Sequence, residues 1–105
     1  YGEQQLDGWR TIQRSHAIAN GVFVAAVNRC GHAVFVEGTP GIEFWGHTFL
    51  ADPFGVIIAE AEGQTEQIVI GEVDPARIEE VRRGWPFLRD RRIDAYGQIT
   101  QRFID

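Results

Sequence analysis

Lysine and methionine are both missing from this 105-residue chain, and cysteine occurs once. A single cysteine forms no internal disulfide, so a reducing compartment suits it and a cytoplasmic setting is expected. No apolar run approaches the roughly 18 residues that would suggest a membrane span, and no signal peptide is visible. The missing starting methionine leads us to expect that the natural N-terminus lies elsewhere. Basic charge is scarce too. Fifteen acidic residues face ten basic ones for a net charge of −5, which makes nucleic acid a poor partner because phosphate binding needs a basic surface. All the basic residues are arginines, most of them between Arg77 and Arg102, and a solvated face with salt bridges accounts for them. A hydrophobic share of 44% is that of a globular chain, and the length allows one modest domain, residues 1–105.

The pattern along the chain reads as mixed α/β. Residues 1–5 are polar and irregular. Residues 6–20 form a helix with Leu6, Trp9, Ile12, Gln13, His16 and Ala19 on one stripe, and Asn20-Gly21 stops it. Residues 22–27 are continuously apolar, as in a strand buried on both faces. Residues 28–41 form a long connection, with a short strand at 34–36. Residues 42–51 and 56–61 make a hairpin around Asp52-Pro53-Phe54-Gly55, where Pro53 presets φ and Asp52 bonds its own backbone. Residues 66–73 alternate as a further long strand. Asp74 caps a helix begun by Pro75 that buries Ile78 and Val81 and ends near Gly84. A last short helix falls at 94–99. Helices on one face leave the other face of such a sheet bare, so a second sheet must come from elsewhere.

Four segments in order resemble the carbon–nitrogen hydrolase (nitrilase) superfamily. Residues 9–20 are similar to its Arg- and Ala-rich late helix ending in Asn. Asn28-Arg29-Cys30-Gly31 resembles a strand end of the form Asn-Arg-[Val/Ile]-Gly. Trp45-Gly46-His47-Thr48 followed by Asp52-Pro53-Phe54-Gly55 resembles its aromatic-Gly-x-[Ser/Thr] strand and Pro-x-Gly turn. Arg89-Asp90-Arg91-Arg92-x-Asp94-x-Tyr96 resembles its closing motif. Residues 15–21 and Glu43-Phe44-Trp45-Gly46 are most similar to the N-carbamoylputrescine amidase branch.

The resemblance implies the C-terminal part of a four-layer αββα sandwich, incomplete by itself. It also implies hydrolysis of a linear amide or ureido C–N bond. In that chemistry a Cys thiolate attacks the carbonyl, a Glu moves the proton and a Lys stabilises the oxyanion. The family carries those three residues upstream, so no catalytic residue is expected in this chain. Cys30 stands where the family has Val or Ile and is not the nucleophile. The implied substrate is a small carbamoyl amine or amide. No cofactor or metal is implied, and a homo-oligomer is, with the 6–20 helix at a subunit contact. The alternatives are a non-catalytic scaffold or dimerisation module of the same fold, or another amidase of the superfamily such as a β-ureidopropionase or ω-amidase.

Three residues are candidates for substrate binding. Asn28 ends an apolar strand, so its amide needs partners; it serves either substrate or the backbone. Trp45 and His47 flank Gly46 on a strand that the resemblance places near the active site, and they line a pocket or pack in a core. Cys30 and His32 share a strand face, but a dyad needs a third, orienting group. His16, His32 and His47 have no compact zinc spacing. Trp85, Pro86 and Phe87 suit a core or a dimer contact, and the Arg89–Tyr96 cluster suits local ion pairs.

Overall fold

A computed structural model describes residues 2–104. The first helix, α1, spans Glu3–Asn20. It begins earlier than the sequence suggests because the Gly2 carbonyl accepts from the amides of Gln5 and Leu6. It ends as expected: Gly21 adopts the left-handed conformation (φ 57°) and its N–H returns to the Ala17 and Ile18 carbonyls. The buried stripe is rotated from the expected one. Leu6, Trp9, Arg10, Gln13 and Ala17 turn inward, whereas Ile12, His16 and Ala19 are exposed. The rotation places Trp9 edge-on to Phe49, with centroids 5.4 Å apart.

The strands form two antiparallel sheets. One has the order β1 (Val24–Ala26), β4 (Phe49–Ala51), β5 (Ile57–Glu60); the other is a ribbon of β2 (Cys30–Ala33) and β3 (Ile42–Trp45). Residues 42–51 are therefore not one strand. Gly46 (φ 62°) and His47 (φ 57°) are consecutive left-handed residues that break it. β3 then pairs with β2, Cys30 opposite Trp45 and Ala33 opposite Ile42. The strand within residues 28–41 thus lies at 30–33, and residues 34–36 belong to the ribbon's loop. β1 is shorter than residues 22–27 and not buried on both faces, since Val27 is 84% exposed. α1 covers one side of the three-stranded sheet, and among the described residues the other side is met only in part, where the extended run at Gly71 approaches Leu50 and Ala59.

The turn at residues 52–55 forms as expected. Asp52 Oδ1 accepts from the amides of Phe54 and Val56, and Gly55 N–H reaches the Asp52 carbonyl at 2.8 Å. Residues 66–73 run extended but form no ladder, contrary to the strand expected there. α2 spans Pro75–Gly84, capped by Asp74 Oδ1 on Ala76 N–H, with Val81 buried and Ile78 half-buried. Two 3₁₀ turns, Ile93–Ala95 and Gly97–Thr100, replace the short helix expected at 94–99.

The core is small: Ala17, Ala26, Phe49 and Ala51, with Trp9, Val24 and Ile57 against it. The Cα radius of gyration is 18.0 Å and the extents are 54 × 44 × 18 Å, where a compact chain of this length has a radius near ~13 Å. This is an open slab, as a helix-on-sheet layer without its second sheet should be. Among the described residues no helix is long and apolar enough to cross a membrane.

Candidate functional site

The two sheets meet where β1 leads into β2 and β3 leads into β4. Asn28 bridges these connections. Its Nδ2 donates to the Gly46 carbonyl at 2.9 Å, and its Oδ1 accepts from Arg29 N–H at 2.9 Å. Thr48 completes the joint: its hydroxyl oxygen accepts from Asn28 N–H at 2.9 Å and donates to the Asn28 carbonyl at 3.3 Å. Gly46 N–H donates to the Arg29 carbonyl, and Ala61 N–H to the Thr48 carbonyl. The Asn28 carboxamide is thus engaged with backbone at both ends.

His47 is presented by the left-handed pair at the end of β3. Its Nδ1 lies 3.6 Å from Glu60 Oε1, and Glu60 holds Arg10 at 2.9 Å, linking α1, β5 and this joint. Close approach of the Gly63 segment fixes the ring. A Cβ on Gly63 would stand 2.8 Å from both His47 Nε2 and the Trp45 carbonyl. Around Asn28 and His47 opens a polar hollow of ≈ 500 Å³, also lined by Arg29, Glu62 and Gln67. Asn28 and Trp45 border a second, apolar hollow of ≈ 340 Å³ with Ile42 and Phe44. The Trp45 indole Nε1 is buried and without a hydrogen-bond partner. Asn28 therefore separates the hollows that His47 and Trp45 line.

The other candidates lie apart from this arrangement. The His32 ring is engaged with Glu43 at 3.1 Å, and among the described residues no hydrogen bond joins it to Cys30. Among the described residues no three His, Cys, Asp or Glu side chains are placed to hold a metal ion. Trp85 and Phe87 form an exposed aromatic group with Phe54, their ring centroids 5.2 and 5.5 Å from their neighbours. The closing motif makes local ion pairs. Hydrogen bonding from Arg89 and from Arg92 holds the carboxyls of Asp90 and Asp94 below the usual carboxylate range.

Glu60, Arg10 and Gly63 are not singled out by the sequence, whereas Thr48 is the Ser/Thr of the aromatic-Gly-x-[Ser/Thr] motif. Glu60 gave a faint signal, a lone carboxylate closing an apolar strand. The joint offers hydrogen-bonding groups around a polar hollow, which suits holding a small polar molecule.

Comparison with known proteins gives the family of the chain. The sequence model of the carbon-nitrogen hydrolase family matches residues 3–83. An N-carbamoylputrescine amidase of Arabidopsis thaliana is 37% identical over 97 residues, covering 90% of this chain and 32% of that protein. A 2-oxoglutaramate amidase of Bacillus subtilis is 39% identical over 92 residues, covering 88% of this chain and 33% of that protein. The crystal structure of a carbon-nitrogen hydrolase from Helicobacter pylori matches at a TM-score of 0.88 and 45% identity, covering 97% of this chain and 35% of that one. The chain thus spans about a third of the length of the curated relatives it matches. Its α/β layer is part of the nitrilase-like sandwich, and the chain belongs to the carbon-nitrogen hydrolase family.

Proposed function

We propose that residues 1–105 are the C-terminal portion of an amidohydrolase that cleaves N-carbamoylputrescine to putrescine, ammonia and carbon dioxide. One water enters, the two C–N bonds of the ureido group are broken, and the nitrogens leave one as ammonia and the other as the amine of putrescine, with the carbonyl carbon leaving as carbon dioxide. The observation that carries the reading is the 97-residue match to an N-carbamoylputrescine amidase, together with the resemblance of residues 15–21 and 43–46. Catalysis rests on a Cys nucleophile, a Glu base and a Lys that the family resemblance places outside these residues. The chain needs no lysine of its own for this division, and it has none. Here Asn28 braces the joint, while His47 and Trp45 face the substrate side. The parent enzyme acts in the cytoplasm as a homo-oligomer on a small molecule, without a cofactor.

The 39% identity to a 2-oxoglutaramate amidase supports a second reading, hydrolysis of an ω-amide. Ammonia release by the full-length parent separates the two. We expect kcat/KM on N-carbamoylputrescine to exceed that on 2-oxoglutaramate. The reverse order would establish the second reading, and no release from either would leave a scaffold.

A further inference from the structure

Arg10 fixes the carboxylate of Glu60 at the end of β5. The Arg10 Nη2 lies 2.9 Å from Glu60 Oε1 and donates to Oε2 at 3.0 Å. The same carboxylate faces the His47 ring, with Oε1 3.6 Å from Nδ1. That separation is too long for a formed hydrogen bond, and a small side-chain rotation closes it. One tautomer suits the approach. A carboxylate only accepts, so the neutral imidazole meets it with the proton on Nδ1, and Nε2 keeps its lone pair. Two features hold the ring in this orientation. Its backbone is left-handed (φ 57°). Gly63 also lies so close that a Cβ there would stand 2.8 Å from Nε2 and 3.1 Å from Cδ2.

The polar hollow that His47 lines has the same bias toward acceptors. Four of its donors are used within the chain. Asn28 Nδ2 donates to the Gly46 carbonyl, the Thr48 hydroxyl to the Asn28 carbonyl, Gln67 Nε2 to the Thr65 hydroxyl, and Glu62 N–H to Gln67 Oε1. The Arg29 guanidinium lies over the Phe44 ring, 4.5 Å from its centroid. The carboxylates of Glu62 and Glu66 add acceptors to the lining. An ammonium or ureido N–H group meets complementary charge there, whereas the carboxylate of 2-oxoglutaramate meets lone pairs.

We propose that Glu60 is a positioning residue that sets substrate preference through His47. It holds the ring as the Nδ1–H tautomer, so that Nε2 accepts an N–H donor of the substrate. This favours a ureido compound bearing an amine over an ω-amide bearing a carboxylate. The inference rests on the reading that the hollow faces substrate in the full-length hydrolase.

Nitrogen-15 spectra of the His47 ring in the full-length protein read the tautomer without any turnover. In mildly alkaline solution the proton should sit on Nδ1, and a proton on Nε2 would overturn the proposal. Glu60→Gln replaces one acceptor oxygen with an amide donor, and it should shift the ring toward the Nε2–H form. It should also raise KM for N-carbamoylputrescine roughly tenfold, as the loss of one hydrogen bond to a charged group does. We expect kcat to change little and KM for 2-oxoglutaramate to rise no further. An unchanged tautomer would overturn the proposal. So would an equal rise in KM for both substrates, the result of a merely structural link between α1 and β5. If Glu60→Gln does not fold, the spectrum of the parent protein still decides. Ammonia release is read separately. An Nδ1–H ring in a protein that releases ammonia from neither substrate sinks the amidase reading alone, and an active enzyme with the proton on Nε2 sinks the positioning role alone.

Discussion

Asn28 and Gly46 are joined across the chain: the Asn28 Nδ2 donates to the Gly46 carbonyl at 2.9 Å. This bond ties the connection leaving β1 to the one leaving β3, so the two sheets share one joint. It also decides how His47, the next residue, is presented beside Glu60.

Asn28→Ala in the full-length protein removes a donor and an acceptor from part-buried backbone groups. We expect a loss of about 1–3 kcal/mol, the cost of leaving such groups unsatisfied. Asn28→Asp keeps the acceptor for Arg29 N–H and should lose less. Thermal melting of the two variants checks the order; equal losses would place the weight on the Gly46 bond, which both variants lose, rather than on Arg29.

At position 47 the backbone is left-handed (φ 57°). A β-branched residue is poorly suited there, and a strained position of this kind costs on the order of 1–3 kcal/mol. His47→Ile should therefore destabilise, whereas His47→Gly should melt no lower than the parent. His47→Gly also removes the imidazole from the polar hollow. We expect KM for N-carbamoylputrescine to rise with kcat little changed, and an unchanged KM would remove His47 from substrate binding.

Two glycines should respond in opposite directions. A Cβ on Gly63 would meet the Trp45 carbonyl and His47 Nε2 at 2.8 Å, so Gly63→Ala should cost about 1–3 kcal/mol, as overpacking does. Gly8, within α1, has nothing within 4 Å of a Cβ, so Gly8→Ala should add roughly 0.5–1 kcal/mol through helix propensity. Paired denaturant titrations of the full-length protein measure both.

The Asp94 carboxyl is lowered by its hydrogen bond from Arg92. A depressed carboxylate contributes stability that is complete above the unfolded-state value and is lost as pH falls through the folded one. This pair is fully exposed and joins near neighbours in sequence, so solvent screens it. Asp94→Asn should leave the melting curve unchanged from neutral pH down into the carboxylate range. A clear loss at neutral pH that fades on acidification would mean that the pair is covered in the whole protein.

Local chemistry was legible in the sequence wherever the hydrogen bonds close within a few residues. Gly21 ends α1, Asp52 and Gly55 shape the turn, and Asp74 with Pro75 starts α2, each through contacts no more than five residues apart. The motifs also singled out Asn28, Trp45 and His47, which the fold gathers around two adjoining hollows. Tertiary structure decided the rest. The break at Gly46 and His47, the pairing of β3 with β2, and the Arg10–Glu60–His47 link depend on partners 9 to 50 residues away. The helix stripe turned because Trp9 had to meet Phe49, which the 3.6-residue period alone does not specify. Residues 66–73 show the same divide. Alternation gives them strand chemistry, but a ladder needs a second strand, and its presence is set by the surrounding polypeptide and not by the segment itself.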